Sequence, residues 1–208
     1  MGIKISYGIT VKDELEEIKR LVDFLLLHKR QEDEIVILLD HSNGKDEMYR
    51  YLLTLPPEII LNRDTFQGHF ANWKNLLNSY CTGDYIFQID ADEMPSEDLI
   101  KGLPYFLESN PNIEIYLVPR INTVKGLTLE HIRKWGWDVN EKEWVNFPDF
   151  QQRIYKNNGK IKWVNKVHEV LDGMVSWAAL PIEDEEFVLY HPKNIDRQEK
   201  QNELYNLL

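Results

Sequence analysis

The sequence contains one cysteine, Cys81, and no long apolar run. A single thiol cannot form a disulfide within the chain, which predicts a reducing, cytoplasmic location. No stretch approaches the ~20 apolar residues of a membrane span, and residues 1–4 lack the long apolar region of a signal peptide. We therefore expect a cytoplasmic protein with no membrane span.

Positive charge is scarce: 24 Lys and Arg residues face 35 Asp and Glu residues, and the net charge is −11. Nucleic-acid-binding surfaces need clustered Lys and Arg, so we expect no stable binding to nucleic acid. A local basic groove is still compatible with this balance. An acidic protein that binds an anionic substrate, such as a nucleotide diphosphate, gains from a bound cation.

Glycine-rich phosphate-binding loops are also missing. The first strand-like run is not followed by Gly-x-Gly-x-x-Gly, and the chain has no Walker A motif. These absences argue against the usual dinucleotide-binding and P-loop folds. Residues 10–13 (Thr-Val-Lys-Asp) also differ from the glycine-rich, basic loop of nucleotidyltransferases, which would otherwise be the rival enzyme class.

Apolar, strand-like runs alternate with helix-like segments through the first half of the chain. The predicted strands are residues 4–10, 34–39, 58–61 and 84–89. The segments between them carry apolar residues at helical spacing, and this alternation is typical of βαβ units. Residues 34–39 are apolar on both faces, as in the interior of a mostly parallel sheet. The sequence therefore predicts an α/β, Rossmann-like fold with helices on both faces of the sheet.

The second half is less regular. Residues 113–119 are predicted to form a strand, whereas residues 120–148 predict either a mobile lid or an irregular wall rich in tryptophan. Residues 149–155 and 160–163 predict a hairpin that turns at Asn157-Asn158-Gly159. A last strand, 187–190, is expected to end at His191, and the tail after residue 196 has a helical pattern with Tyr205 and Leu208 on an inner face.

Two carboxylates follow the predicted strand at residues 84–89. Asp90 and Asp92 alternate in extended chain, so their side chains can reach the same point, while Pro95 prevents the strand from continuing. Paired oxygen donors suit Mg²⁺ or Mn²⁺, which often bridge protein carboxylates to a diphosphate. The alternative is an acidic loop that caps the following helix near Ser96.

Other polar residues lie at the carboxyl ends of predicted strands. Thr10 ends the first strand and Asp40 ends the second. Ligands of open α/β sheets bind beyond the carboxyl ends of the strands, so we expect these residues to converge with Asp90 and Asp92 on one crevice.

The chain resembles the family 2 inverting glycosyltransferases of the GT-A fold over nearly its whole length. The resemblance rests on the first strand with Thr10, the turn 40–44, the segment 69–75 and the run 83–93. Within the family, the second half looks most like the lipopolysaccharide-core glucosyltransferase type. That likeness rests on Pro148-Asp149-Phe150-Gln151-Gln152-Arg153-Ile154-Tyr155, Trp163 and Val167-His168-Glu169.

The resemblance implies a single GT-A domain over residues 1–208. Residues 1–95 would form its nucleotide-sugar-binding half, and residues 96–208 an acceptor half with a C-terminal helix. The implied activity is a metal-dependent, inverting transfer of a sugar from a nucleotide-diphosphate donor, a UDP-sugar, to a hydroxyl of a sugar or glycan. Two alternatives remain: an inactive nucleotide-sugar-binding module, and a transferase that acts on modified nucleic acid.

The resemblance also assigns metal and catalytic roles. Asp92 would hold Mn²⁺ or Mg²⁺, Asp90 would bind it directly or through water, and His191 is the candidate third ligand. His191 could equally close the last strand before Pro192. The base that takes the acceptor proton would be Glu169 or Asp149, or another acid such as Glu93.

Donor contacts are expected from residues on both halves of the chain: Thr10, Asp40, Lys74, Asn75, Asp90, Arg153 and His168. Thr10 and Asp40 would hold the nucleoside. Lys74 stands where the family commonly has arginine, which keeps the charge but weakens a bidentate phosphate contact. One tryptophan among Trp135, Trp137 and Trp163 is expected to stack on a sugar ring.

Overall fold

The computed structural model describes residues 2–42 and 46–207, apart from the side chains of residues 184, 201 and 203–207. Asn43 and Gly44 of the predicted turn lie outside the described residues. The same is true of the predicted inner face formed by the side chains of Tyr205 and Leu208. None of the helices in the described part of the chain has the length and apolar character that crossing a bilayer requires.

The first half alternates strands and helices, as predicted. In chain order its elements are β1 (Ile5–Val11), α1 (Leu15–His28), β2 (Glu34–Asp40), α2 (Asp46–Leu52), β3 (Ile60–Asp64), α3 (Phe70–Tyr80) and β4 (Tyr85–Asp90). β3 begins two residues later than predicted, because the chain after Pro56 makes a turn in which Ile59 N donates to Pro56 O.

The second half contains more regular structure than predicted. Its elements are β5 (Met94–Pro95), α4 (Glu97–Ser109), β6 (Ile115–Lys125), α5 (Leu129–Trp135), β7 (Val145–Lys156), β8 (Lys162–Val164), β9 (Val170–Asp172), β10 (Trp177–Ala179), β11 (Leu189–Asn194) and α6 (Ile195–Leu207). Most of residues 120–148 therefore belong to β6, α5 and β7. His191 lies inside β11, so the prediction that the last strand ends at this residue was wrong.

One nine-stranded sheet runs through both halves of the described chain, in the order β3-β2-β1-β4-β7-β6-β11-β5, with β10 added to β6. β1 to β4 are mutually parallel, β7 is antiparallel to β4 and β6, and β11 is parallel to β6. The prediction of a mostly parallel α/β sheet covered by helices is confirmed. Within it, Thr10 of β1 lies beside Asp90 of β4.

The predicted hairpin between residues 149–155 and 160–163 was wrong. β7 is a central strand between β4 and β6, and β8 pairs instead with β9 in a separate two-stranded sheet. Ile154 and Tyr155 of β7 are buried in the main core, which holds this strand in the large sheet. The Asn158 side chain accepts hydrogen bonds from the N–H groups of Lys160 and Ile161, and this local turn directs the chain away from β7.

Both faces of the central strands are buried. One face packs Tyr7, Ile9 and Phe87 against the apolar stripe of α1, and the other packs Leu38 and Ile86 against α3. Strands covered on both faces need near-continuous apolar sequences, which β1, β2 and β4 have. Apart from the buried Gln88, the polar residues of these strands lie near the strand ends, where ligand chemistry is possible.

A carboxylate is buried at the amino end of β2. Glu34 accepts hydrogen bonds from Ser6 Oγ, Thr82 N and Thr82 Oγ1, and it forms an ion pair with Lys4. Burial by itself would raise the pKa of Glu34, but Lys4 and the hydroxyl donors lower it to about 2. These contacts join β1, β2 and the turn before β4 at the end of the sheet opposite Asp90.

We expect Glu34→Gln to destabilise the fold in a pH-dependent way. The lowered pKa stabilises the folded state by up to about 3 kcal/mol above pH 4.5, and this contribution is lost as the pH falls from 4.5 towards 2. Urea unfolding should therefore show a wild-type advantage at pH 7 that shrinks through this window. Glu16→Gln, at an exposed i,i+3 pair with Lys19, is the control and should change stability little. A wild-type advantage independent of pH would contradict the assignment.

Candidate functional site

A cleft of about 1190 Å³ opens at the carboxyl ends of β1, β2 and β4. Thr10, Asp40, Asp90 and Asp92 all line it, so the structure brings together the strand-end residues selected from the sequence. Further predicted residues line the same cleft: Lys74 from the first half, and Asp149, Arg153, His168, Glu169 and His191 from the second half.

Asp90 is fixed in the floor of the cleft. Its carboxylate forms an ion pair with Arg153 (2.6 Å) and accepts hydrogen bonds from Gln88 Nε2 (2.9 Å) and Thr10 Oγ1 (3.3 Å). Burial would raise the pKa of Asp90, but the charges of Arg153 and then Lys74 lower it far below its usual range. Asp90 is therefore an ionised, firmly oriented carboxylate.

Arg153 links Asp90 to a second buried acid. The same guanidinium nitrogen that contacts Asp90 lies 2.6 Å from Glu93 Oε1, and its other terminal nitrogen donates to Gln88. Glu93 is 1% exposed and also pairs with Arg120 at 2.9 Å. Arg153 is expected from the sequence to contact the donor, and in this structure its guanidinium pairs with two acids.

Asp149 continues this chain of charges. It accepts two hydrogen bonds from Arg120, one from Asn122 and one from Gln151. Burial would raise the pKa of Asp149, and the Arg120 charge outweighs burial and lowers it. A carboxylate with this many donors is a weak base, so its geometry suits holding Arg120 and Asn122 in position better than taking a proton.

Asn122 fixes the protonation of His191. Its Nδ2 donates to Asp149, so its Oδ1 faces His191 Nδ1 at 2.7 Å and can only accept. Nδ1 must therefore carry a proton. His191 Nε2 lies 3.2 Å from Asp92 Oδ2, and this contact is attractive only if Nε2 also carries a proton or if a cation lies between the two atoms.

The Asp92–His191 pair fits a divalent cation. It offers one oxygen and one nitrogen donor, and the hydrogen bond to Asn122 orients the imidazole as outer partners of metal-bound histidines do. Asp90 is already paired with Arg153, so its geometry suits a contact with the cation through a water molecule. Residues 2–42 and 46–207 contain no group of three His, Cys, Asp or Glu side chains that could hold a metal ion by themselves. These donors therefore suit a cation whose remaining ligands are water and phosphate.

Lys74 and Glu169 face each other across the cleft wall. Lys74 Nζ lies 2.6 Å from Glu169 Oε1 and 4.3 Å from the centre of the Trp163 ring. Glu169 is carried by the loop between β8 and β9, where Asn165 and His168 adopt left-handed φ values of 76° and 51°. Non-glycine residues with positive φ are uncommon and tend to occur at functional sites.

Asn75 does not line the cleft. Its Oδ1 accepts from Trp163 N (3.0 Å) and its Nδ2 donates to Trp163 O (2.8 Å), so both ends of the amide hold β8 onto α3. Asn75 therefore holds β8 against α3, and its neighbour Lys74 lies in the cleft instead.

Asp40 and Thr10 line the cleft at the carboxyl ends of β2 and β1. Asp40 accepts hydrogen bonds from Ser42 and from Phe66 N, and it pairs with Lys12 at 2.9 Å. Burial would raise the pKa of Asp40, and the Lys12 ammonium lowers it. Phe66 also contacts Phe70 and Trp73, so aromatic rings flank this acid.

Two of the three tryptophans predicted to reach a ligand line the cleft. Trp137 and Trp163 do so, whereas Trp135 stacks on His131 with an angle of 12° between the rings. Trp163 is 5% exposed and donates its Nε1–H to Tyr155, so it also belongs to the core.

Sequence reasoning missed four polar residues of this network: Gln88, Arg120, Asn122 and Arg197. Gln88 alternates with Asp90 along a buried strand, and Arg120 and Asn122 alternate along β6, so a period-two pattern of polar residues could have identified them. Arg197 lies in a polar helix and carries no local signal of its position in the cleft.

Comparisons with known proteins identify relatives of the chain in sequence and in fold. A model of glycosyl transferase family 2 matches residues 6–174. The SPbeta prophage-derived glycosyltransferase SunS of Bacillus subtilis (strain 168) and glycosyltransferase SunS of Bacillus phage SPbeta are each 23% identical over 172 residues. These cover 79% of this chain and 34% of each relative.

Two crystal structures of S. aureus TarS 1–349 share the fold. The complex with UDP-GlcNAc gives a TM-score of 0.62 at 13% identity and covers 93% of this chain and 59% of that chain. The second structure gives 0.58 at 12% identity, with coverages of 92% and 60%. The chain thus spans about a third of the length of the curated relatives and three fifths of the TarS structures.

The mostly parallel α/β sheet flanked by helices is that of a GT-A type domain, as predicted. Because the family match covers more than half of its length, the chain belongs to glycosyl transferase family 2.

We expect Arg153→Met to destabilise the protein by about 3–5 kcal/mol, because it leaves the buried Glu93 and the partly buried Asp90 without their shared cation. Urea unfolding measures the loss. Adding Glu93→Gln should recover part of it, since one uncompensated buried charge is then removed. Arg133→Met, in α5, is the control for loss of an arginine and should lie within about 0.5 kcal/mol of wild type. If the double variant were as unstable as Arg153→Met, the charge argument would be wrong.

Proposed function

We propose that the chain is a metal-dependent, inverting glycosyltransferase that moves a sugar from a UDP-linked donor to a hydroxyl of a sugar or glycan. The observation that carries the proposal is the Asp92–His191 pair beside Asp90, at the end of β4 and in the same cleft as Thr10 and Asp40. Family membership supports the reaction class. TarS, which shares the fold, binds UDP-GlcNAc, and this supports a nucleotide-sugar donor.

The donor would span the cleft from β2 to β4. We assign its nucleoside to Thr10 and Asp40, where the aromatic rings of Phe66, Phe70 and Trp73 offer their faces to a base. Its diphosphate would then lie near Asp92, since Thr10 and Asp90 are neighbours in the sheet. This orientation follows the rule that open α/β sheets bind ligands beyond their strand ends.

Asp92 and His191 would hold Mn²⁺ or Mg²⁺, with Asp90 acting through water. When bound, the cation would act as a Lewis acid that neutralises the charge on the departing diphosphate. The chain's own contribution is orientation: Asp149 holds Asn122, and Asn122 directs the Nε2 atom of His191 towards Asp92.

Glu169 is our candidate for the general base. It would accept the proton of the acceptor hydroxyl as that oxygen attacks the anomeric carbon, while the bond to the diphosphate breaks and its electron pair leaves with the diphosphate. The Glu169 carboxylate pairs with Lys74 through Oε1, whereas Asp149 accepts hydrogen bonds at both oxygens. This contrast favours Glu169 as the base.

The acceptor side would be formed by β8, β9 and the loop between them, with Trp163 or Trp137 as the stacking surface for a sugar ring. The 148–155 and 167–169 motifs lead us to place the chain nearest the lipopolysaccharide-core glucosyltransferase type. With a single cysteine, we propose a reducing, cytoplasmic location.

The proposal is tested by incubating the purified chain with UDP-sugars, Mn²⁺ and a panel of sugar and glycan acceptors, and measuring UDP release. We expect turnover that a chelator abolishes and that added Mn²⁺ restores. Asp92→Ala should lower kcat by about 100-fold or more, because charge neutralisation at the diphosphate is lost. Asp23→Ala, at an exposed position of α1, should retain full activity. No turnover with any donor, combined with tight UDP binding, would favour an inactive binding module.

We expect Glu169→Gln to lower kcat by about 100-fold or more while leaving the affinity for UDP unchanged, because a base acts only in the chemical step. Asp149→Asn should instead lower the melting temperature and weaken Mn²⁺ binding, through the loss of orientation of Asn122 and His191. Calorimetric titrations with UDP and Mn²⁺ separate the two outcomes. Full activity of Glu169→Gln would remove Glu169 from the mechanism.

A further inference from the structure

Arg197, in the first turn of α6, reaches three carboxylates on two separate elements. Its guanidinium lies 3.2 Å from Asp92 Oδ2, 3.1 Å from Glu14 Oε1 and 3.3 Å from Glu17 Oε1. Glu14 and Glu17 belong to the start of α1, whereas Asp92 belongs to the proposed cation site. Arg197 therefore bridges the mouth of the cleft.

These contacts are looser than those of the other cleft cations. Arg153 and Lys74 hold their acids at 2.6 Å, with side chains 4% and 7% exposed. Charge-assisted N–H···O⁻ bonds are typically about 2.7–2.9 Å, so the distances around Arg197 are long. Its side chain is 33% exposed. Exchanging the partners of Arg197 should therefore cost little free energy, whereas Arg153 and Lys74 are held firmly by their acids.

Helix stability does not explain an arginine at this position. The positive end of the helix dipole is at the N-terminus, so a cation in the first turn is unfavourable. The backbone N–H of Arg197 is already capped by Asn194 Oδ1 at 2.8 Å, and this cap does not depend on the side chain. A cation that is unfavourable for its own helix indicates a role elsewhere, and here the side chain of Arg197 lies in the cleft.

We propose that Arg197 binds the diphosphate of the nucleotide-sugar donor and exchanges its carboxylate partners for phosphate oxygens when the donor enters. This inference rests on the proposed function and adds a donor-binding residue from the last helix. The planar guanidinium can grip a phosphate through two parallel hydrogen bonds. A cation held by Asp92 and His191 would repel Arg197 from Asp92 and direct it to the phosphate oxygens beside that cation.

Other cleft residues support this position for the phosphates. Gln198 and Lys200, on the same helix, line the cleft with Arg197, and Lys193 of β11 lines it below them. Arg120 and Arg153 are both held by buried acids. The three carboxylates that contact Arg197 are all partly exposed, whereas Arg120 and Arg153 each pair with the fully buried Glu93.

The test compares Arg197→Met with wild type in titrations of UDP and of uridine in the presence of Mg²⁺. Arg197→Met should weaken UDP binding about 10- to 100-fold, as expected for loss of a charge-assisted pair, and leave uridine binding unchanged. Arg197→Lys should bind UDP more weakly than wild type and more tightly than Arg197→Met, because lysine retains the charge but cannot make two parallel hydrogen bonds to a phosphate. Arg20→Met, on the exposed face of α1, is the matched control and should bind UDP as wild type does.

The outcomes separate this inference from the proposed function. If wild type binds neither UDP nor any other nucleoside diphosphate, both are overturned. If wild type binds UDP and Arg197→Met binds it equally well, only the role of Arg197 is overturned. An equal loss of UDP and uridine binding would mark Arg197 as a structural tie between α6 and α1, and would also overturn it.

A second variant decides the question if Arg197→Met does not fold. Glu17 contacts Arg197 but does not line the cleft. Glu17→Gln removes one competing carboxylate, so it should tighten UDP binding a few-fold over wild type without changing uridine binding. A purely structural tie predicts the opposite pattern: a lower melting temperature and unchanged or weaker UDP binding. That result would overturn the inference.

Discussion

The structure depends on one chain of buried and partly buried charges that joins three neighbouring strands. Arg153 of β7 holds Asp90 of β4 and Glu93, and Arg120 of β6 holds Glu93 and Asp149. Buried charges are costly unless each has a partner, so these side chains constrain one another. The antiparallel insertion of β7 between β4 and β6 is what brings the alternating charges into contact.

This chain determines which acids remain available for chemistry. Asp90 and Asp149 are ionised and saturated with donors, which makes them supports for their neighbours. Asp92 and Glu169, in contrast, face the cleft with few protein partners. The proposed division between a cation-binding acid and a proton-accepting acid therefore follows from where the arginines are. Arg197 is the loosest member of the network.

The sequence predicted the sheet well because apolar strands buried on both faces and amphipathic helices leave strong periodic signals, as in β2 and α1. It also predicted that Asp90 and Asp92 would lie at a strand end beside Thr10. It failed where a contact depends on distant residues: the pairing of β8 with β9 instead of β7, and the partners of Arg153. Arg197 is separated from Asp92 by more than a hundred residues, and no local pattern relates the two.

Glu169 is carried by the loop of the small β8–β9 sheet. This sheet joins the molecule through the Asn75 amide, through the hydrogen bond from Leu171 N to Gln152 Oε1, and through the buried side chains of Trp163 and Leu171. His191 of the proposed cation-binding pair, by contrast, lies on the large sheet. The exposed residues of β8 and β9, Lys162, Val170 and Asp172, can be substituted while the strands of the large sheet stay as they are. Under the proposed function, this arrangement would give one scaffold a route to new acceptors without the loss of its donor.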